Sequence, residues 1–375
     1  MSNMIYHIIR LFYQKYEVDK MKYIVYGAGK YGGWLVRNYQ GKDDVSFRGF
    51  IDAYKSGKCE ELPIFSMEII EREYPIIISI RKPEIAYTVN CNLRKIGFKN
   101  ISWYANNSYA EKFADMLIDT SSWGDNVLPY VEMHVSDSCN LNCKGCTHFS
   151  PLFNSLNANL QNSMNDVRQL MRKISHIMVF RLLGGEPFLN VQLGDYVQSL
   201  RSLLPDTCIQ VVTNGLLIPK ANSEILESIR DNHVTVCVSN YPPTKEKMTQ
   251  ILRRMEQYGV KYIISGYGDK AMFNKPLSIK IDSGYPCKCI SDGCVNIYNG
   301  RIARCPTLMY LTKFNQTFGV HLPEDGIIDL YDNMSGKQLL EKLKEPVPLC
   351  KHCVENAIPW QKCGKVPLLQ DFATV

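Results

Sequence analysis

Three cysteines, Cys139, Cys143 and Cys146, fall within eight residues of the run Ser136-Asp137-Ser138-Cys139-Asn140-Leu141-Asn142-Cys143-Lys144-Gly145-Cys146. Three thiolates on one short loop suit a cubane iron–sulfur cluster whose fourth iron stays open for another ligand. A structural zinc site would instead call for four protein ligands, usually as two C-x2-C pairs. A second group fills the last quarter of the chain: Cys287, Cys289, Cys294 and Cys305, then Cys350, Cys353 and Cys363. Only Cys59, Cys91, Cys208 and Cys237 are scattered, and these read as core thiols. Fourteen cysteines in 375 residues do not imply a disulfide framework here. A chain this long buries enough apolar surface without one, and its start does not resemble a cleaved export signal. The expectation is a cytoplasmic, reducing compartment and cysteines that ligate.

A third candidate lies near the start. Gly27-Ala28-Gly29-Lys30-Tyr31-Gly32 follows a short apolar run and opens an amphipathic stretch, as a phosphate-facing strand-to-helix turn would. Asp52 lies 20 residues past Gly32, the offset of an acidic residue reaching a ribose hydroxyl. The same glycines equally serve a tight turn with close helix–strand packing, so nucleotide binding at Gly27, Gly29, Gly32 and Asp52 is one of two readings.

The elements that must position these residues follow from periodicity. Residues 21–104 read as a small α/β unit with strands at 22–26, 47–51, 76–80 and 101–104 and a helix over 83–96. The first twenty residues read as a packing helix. Residues 105–128 are polar and turn-rich and read as a linker. From Tyr130, strands (130–135, 176–183, 208–212, 234–239, 260–264 and a weaker sixth at 277–281) alternate with helices, so residues 129–282 form a parallel sheet, open or curved toward a barrel. The cysteine loop then sits at a strand's C-terminal end, where such folds keep their sites. Residues 283–375 form a cysteine-rich extension. The charge balance, 43 basic against 37 acidic residues, shows no clustered basic stripe and excludes a nucleic-acid-binding role. The apolar run at the start is too short to span a bilayer.

The loop resembles the cluster motif of the radical S-adenosylmethionine (SAM) superfamily, and further motifs follow in that family's order. Gly184-Gly185-Glu186-Pro187 resembles its GGE motif, whose groups hydrogen-bond the SAM amine. Thr213-Asn214 and Ser239-Asn240 stand where the family places polar residues near the SAM carboxylate and ribose. The resemblance implies an α/β fold with a partial (β/α)6 barrel, a SAM-bound 4Fe–4S cluster on Cys139, Cys143 and Cys146, and a reducing partner such as flavodoxin or ferredoxin. One electron from that cluster cleaves SAM to a 5′-deoxyadenosyl radical, which takes hydrogen from a substrate. The family usually carries an aromatic residue just before the third cysteine; here that residue is Gly145, leaving Phe149 or His148 to cover the adenine.

The C-terminal cysteines resemble the SPASM and twitch extensions of the same superfamily, which hold auxiliary clusters. Cys287 leaves 12 residues before Gly300 and Cys289 leaves 10, and Gly300 precedes Cys305 by G-x4-C spacing. The favoured ligand set is Cys287, Cys305, Cys350 and Cys353, in the one-cluster twitch form, with Cys289, Cys294 and Cys363 unassigned. A structural zinc on the same thiolates stays open. The first hundred residues loosely resemble the Rossmann-like N-terminal domains of bacterial sugar acyltransferases. Together these imply a carbohydrate substrate, a sugar or nucleotide-sugar precursor, that is oxidised or epimerised. In epimerisation Cys294 or Cys237 could return a hydrogen atom to the substrate. Two alternatives remain, a SPASM-type peptide-maturing enzyme and an iron–sulfur or nucleotide-sensing protein without catalysis.

Overall fold

In the computed structural model, packing divides the chain between Ser122 and Trp123. Residues 22–42, 45–105, 113, 117–154, 157–265, 272–280, 289 and 293–375 are described. The expected helix over the first twenty residues and Cys287 lie outside them.

The first unit is built on runs of β-branched residues buried on both faces, which favours a parallel sheet. Ile76, Ile77 and Ile78 have no exposed surface. Its elements are β1 (Lys22–Tyr26), α1 (Lys30–Tyr39), β2 (Ser46–Ile51), β3 (Gly57–Cys59), β4 (Leu62–Phe65), β5 (Ile76–Ile78), α2 (Pro83–Lys95), β6 (Ile101–Tyr104) and β7 (Leu117–Asp119). They give the strand order β3-β4-β2-β1-β5-β6-β7. The four sequence-read strands form its parallel centre. The hairpin of β3 and β4 and the antiparallel edge β7 are additions that the polar, turn-rich composition hid. Pro83 begins α2 where its missing N–H costs nothing.

The second unit alternates strand and helix: β8 (Val127–Ser136), α3 (Leu160–Met171), β9 (His176–Gly184), α4 (Leu193–Leu203), β10 (Cys208–Thr213), α5 (Ser223–Asp231), β11 (Thr235–Ser239), α6 (Pro242–Gln257) and β12 (Tyr262–Ser265). These five strands are parallel neighbours. Helix faces such as Val167 and Leu170 of α3, and Tyr196, Val197 and Leu200 of α4, close the core over them. Asn159 caps α3 and Asn222 caps α5 through side chains that accept backbone N–H bonds.

The expected sixth barrel strand is corrected. Its first residues do form a strand, β14 (Leu277–Ser278), following β13 (Met272–Asn274), but β14 joins β19 (Ala373–Thr374) rather than the main sheet. Instead the sheet grows from its other edge, where β15 (Asn296–Tyr298) lies parallel to β8 and is followed by β16 (Arg301–Ala303) and β17 (Ile328–Asp329). The extension thus completes the sheet that carries the cysteine loop. Its remaining elements are α7 (Pro306–Met309), α8 (Leu311–Phe318), α9 (Gly336–Lys344), β18 (Ala357–Pro359) and α10 (Leu369–Phe372); α7, α8 and α10 build a second apolar cluster around Phe314 and Phe372, while Leu339 and Leu343 of α9 join the main core.

Candidate active site

β8 to β11 end around a cavity of about 220 Å³. Cys139, Cys143, Cys146, Thr147 and His148 line it from the loop after β8, and Gly184 and Gly185 from the end of β9. Thr213 and Asn214 come from β10, Ser239 and Tyr241 from β11, and Glu132 lies on β8 itself. The sequence-read residues of four separate strand ends therefore meet in one place. Pro187 and Asn240 stand outside the lining. Pro187 opens the short turn Pro187–Leu189 instead.

Each thiol has N–H groups directed at its sulfur. Leu141 N–H reaches Cys139 Sγ at 3.4 Å, and Asn214 Nδ2 reaches it at 3.8 Å. Trp360 Nε1 donates to Cys143 Sγ at 3.1 Å. Backbone groups of Ser150, His148 and Phe149 serve Cys146. Burial pushes the Cys139 thiol up to about 12, with Glu186 adding to the effect, and pushes Cys143 and Cys146 upward as well. Protons therefore stay on these sulfurs until a metal charge replaces them.

The two glycines answer to packing. A Cβ on Gly184 would stand 1.9 Å from Ser136 O, and one on Gly185 would stand 2.1 Å from Ser138 O. Gly185 N–H and Glu186 N–H donate to those same carbonyls at 2.8 and 3.0 Å. The GGE turn is thus sewn to the strand that feeds the cysteine loop. Glu186 is fully buried and does not line the cavity. Its carboxylate accepts Thr213 Oγ1–H at 2.6 Å, Asn214 N–H at 2.9 Å and Phe188 N–H at 3.2 Å.

Burial pushes Glu186 up to about 7, outweighing those three bonds. The folded value lies above that of an exposed carboxyl. The neutral form's contribution is therefore complete below about pH 4.5 and lost as pH rises through about 7. In the metal-free protein this single group is expected to remove about 3 kcal/mol of stability across that window. Urea unfolding at pH 5 and pH 8 should show the loss in the wild type and a flatter profile in Glu186→Gln. Parallel profiles would sink the assignment.

Below the cavity rim runs a buried polar layer in strand register. Glu132 on β8 faces Arg181 on β9 and Asn296 on β15. Tyr130 hydroxyl bonds Glu132, Arg181 Nη1 donates to Tyr130 at 2.7 Å, and Arg181 Nε donates to Gln210 at 2.8 Å. His134 Nε2 and His148 Nδ1 are 2.7 Å apart, and His134 Nδ1 is 3.0 Å from Asp137. The Cys237 thiol donates to Gln210 Oε1 at 3.4 Å, and neither Cys237 nor Cys294 is in the cavity lining. Phe149 is in the apolar core against Phe314, with ring centroids 4.9 Å apart, so of the two residues expected near the adenine only His148 reaches the cavity.

Among the C-terminal cysteines, Cys289 acts electrostatically on both Cys305 and Cys353, and Cys350 does the same. Burial pushes Cys305 up to about 11 and Cys353 up to about 12. Cys289 therefore lies with Cys305, Cys350 and Cys353, while Cys287, the other candidate first ligand, is outside the described residues. Cys363 belongs elsewhere. Its N–H donates to Asn142 O at 2.8 Å, and its thiol acts on Cys143 and is acted on by Cys146. Among the described residues no three His, Cys, Asp or Glu side chains are arranged to hold a single metal ion.

In the first unit, Asp52 accepts from Ala28 N–H at 2.8 Å, Tyr54 N–H at 2.9 Å and Lys55 N–H at 3.0 Å, which staples the glycine turn. Gly27 has a φ of +108°, and a Cβ on Gly32 would stand 2.0 Å from Gly27 O. Of the three glycines in this turn, only Gly29 has nothing within 4 Å of an added Cβ.

Residues 130–260 match the model of a family described as "4Fe-4S single cluster domain". The matched segment encloses Cys139, Cys143 and Cys146 and ends before the C-terminal cysteines. GTP 3′,8-cyclase of Clostridium acetobutylicum is 27% identical over 100 residues, covering 26% of this chain and 31% of that protein. The Aquifex aeolicus protein of the same name is 23% identical over 278 residues, covering 67% and 83%. These matches support the radical SAM superfamily. The chain spans about a third of the length of the first two curated relatives. Among solved structures, BtrN in complex with AdoMet and 2-DOIA overlays at a TM-score of 0.37 and 16% identity, covering 60% of this chain and 92% of that one. Streptococcus suis SuiB bound to S-adenosylmethionine overlays at 0.30 and 16%, covering 48% and 38%.

The superfamily's cofactors are a 4Fe–4S cluster and SAM, and the cavity's donor set fits them. Three thiols line the cavity, N–H groups point at their sulfurs, and Thr213, Asn214 and Ser239 line it with them. No helix among the described residues is long and apolar enough to cross a membrane.

Proposed function

We propose that this chain is a radical SAM enzyme acting on a hydroxyl-bearing carbohydrate, a sugar or nucleotide-sugar precursor, by oxidation or epimerisation in the cytoplasm. The observation that carries the reading is the convergence of Cys139, Cys143 and Cys146 with Gly184, Gly185, Thr213, Asn214 and Ser239 on one cavity. When bound, the cluster and SAM supply a 5′-deoxyadenosyl radical for hydrogen abstraction. The chain's own residues hold and orient. Cys139, Cys143 and Cys146 take the iron, and the polar ends of β10 and β11 take SAM. Glu186 ties the Thr213–Asn214 turn to the cysteine-loop side of the site. The substrate side is polar, since Glu132 and His148 line the cavity and Tyr130 and Asn296 hold Glu132 from behind. Carboxylate and imidazole suit substrate hydroxyls better than an apolar side chain would. Cys305, Cys350 and Cys353, with Cys287 or Cys289 as the fourth ligand, are proposed to hold an auxiliary cluster, and the Rossmann-like first unit to serve the nucleotide part of the substrate. A flavodoxin or ferredoxin is the expected electron source.

Anaerobic reconstitution with dithionite and SAM tests this directly. The wild type is expected to form 5′-deoxyadenosine above background and to carry about eight irons per chain, the content of two cubanes. A chain with about four irons and one zinc would make the C-terminal site structural. Once a substrate turns over, solvent deuterium in the product separates epimerisation from oxidation, because only return of hydrogen by a thiol introduces it.

A further inference from the structure

The loop that carries the three cysteines is bound along its length by the chain's C-terminal tail. Lys144 N–H donates to Gln361 O at 2.9 Å, Cys363 N–H to Asn142 O at 2.8 Å, and Gly145 N–H to Asp371 O at 2.7 Å. Lys144 Nζ stands 3.1 Å from the Asp371 carboxylate, and Cys143 and Lys362 form an isolated β-bridge. Gly145 has a φ of +71°, a conformation that an aromatic residue resists, and the tail's backbone bonds to it directly. An aromatic wall stands beside loop and tail. Phe273 on β13 is paired with Ile358 on β18, and Trp360 follows two residues later. The Tyr241 ring lies 5.9 Å from Phe273 and 6.5 Å from Trp360. At the end of this wall the Trp360 indole N–H donates to Cys143 Sγ at 3.1 Å.

We propose that Trp360 is a positioning residue of the cluster site, and that its N–H sets the reduction potential of the iron–sulfur cluster held by Cys139, Cys143 and Cys146. The inference rests on the cluster reading above. Hydrogen bonds to ligand sulfur stabilise the extra negative charge of the reduced cluster and so raise its potential. Cys143 receives this bond from a residue 217 positions away. The electron acceptor of the site is thereby coupled to docking of the tail that also carries Cys350 and Cys353.

The test uses the full chain, reconstituted anaerobically, with iron content and an EPR-monitored redox titration as readouts. The signal that SAM perturbs identifies the cluster concerned. Trp360→Phe keeps the ring and removes the donor. It is expected to retain wild-type iron while its midpoint potential moves to a more negative value. Wild-type iron with an unmoved potential overturns the proposal. If Trp360→Phe loses iron, the benzothiophene isostere of tryptophan at position 360 decides. A lowered potential, or iron loss at an unchanged melting temperature, supports the N–H role, and wild-type iron and potential overturn it. Cys143→Ala separates the two inferences. Unchanged iron in that variant removes the cluster reading and the proposal together. Lost iron there, with an unmoved potential in Trp360→Phe, removes the proposal alone.

Discussion

Replacing Cys143 with alanine is expected to lower iron by about four per chain and reduce 5′-deoxyadenosine formation to background. A cubane held by three thiolates cannot lose one and keep its open iron presented to SAM. The three cysteines line one cavity, and no other cysteine among the described residues lines it. Cys363 is near enough to act on Cys143 electrostatically, so the variant also asks whether that thiol can substitute. The expected answer is no, because Cys363 is held by its own backbone bond to Asn142 and lies off the cavity lining. The loss should be chemical rather than a failure to fold. The Cys143 thiol is mostly buried, and removing one sulfur from a packed interior costs about 1–2 kcal/mol. Cys208→Ala supplies the comparison. That cysteine is equally buried at the start of β10, and its replacement should cost similar stability yet leave iron and SAM cleavage intact. Equal iron in both variants would remove the cluster assignment.

What could be read from the sequence was what is local. The cysteine loop, the Gly184-Gly185 turn, Thr213-Asn214 and Ser239 each lie at the end of a strand whose apolar run is legible in the sequence, and parallel strands bring their C-terminal ends together whatever lies between them. The residues that escaped are those whose position depends on distant pairing. Trp360 has no local pattern that marks it. It reaches Cys143 because β18 pairs with β13, some eighty residues earlier. Leu277–Ser278 reads as a strand and is one, but the alternation within a strand does not name its neighbour, and β19 lies at the chain's far end. Phe149 follows the cysteine loop closely enough for either cavity or core. Phe314 and Phe372, invisible in the local sequence, decide for the core. Spacing left Cys287 and Cys289 equivalent, and Cys287 lies outside the described residues. The glycine turn near the start was ambiguous for a different reason, because tight packing and phosphate approach require the same residue. There the Asp52 carboxylate binds the turn's own backbone.

Gly185→Ala is expected to destabilise the second unit strongly, by at least about 3 kcal/mol, and to release the cysteine loop. The added methyl would lie 2.1 Å from Ser138 O, 2.3 Å from Ser138 C and 2.8 Å from Asp137 O. All three are backbone atoms, so no rotamer change relieves the contact. Moving the turn outward stretches two buried hydrogen bonds, Gly185 N–H to Ser136 O and Glu186 N–H to Ser138 O, each worth about 1 kcal/mol. Moving the strand end inward shifts Cys139, one residue after Ser138, and with it the first sulfur of the site. Either route couples stability to iron retention, which separates this variant from a surface change. Gly29→Ala provides the scale, since nothing lies within 4 Å of a Cβ there and its φ of −100° is open to alanine. That substitution should cost about 1 kcal/mol or less. Urea midpoints of the two variants with iron content after reconstitution check the prediction. If Gly185→Ala melts like Gly29→Ala and keeps its iron, then the close approach of the β9 turn to the Ser136–Ser138 segment is not what fixes the loop. The hydrogen bonds between the C-terminal tail and Asn142, Lys144 and Gly145 would then be the stronger constraint on where the three sulfurs stand.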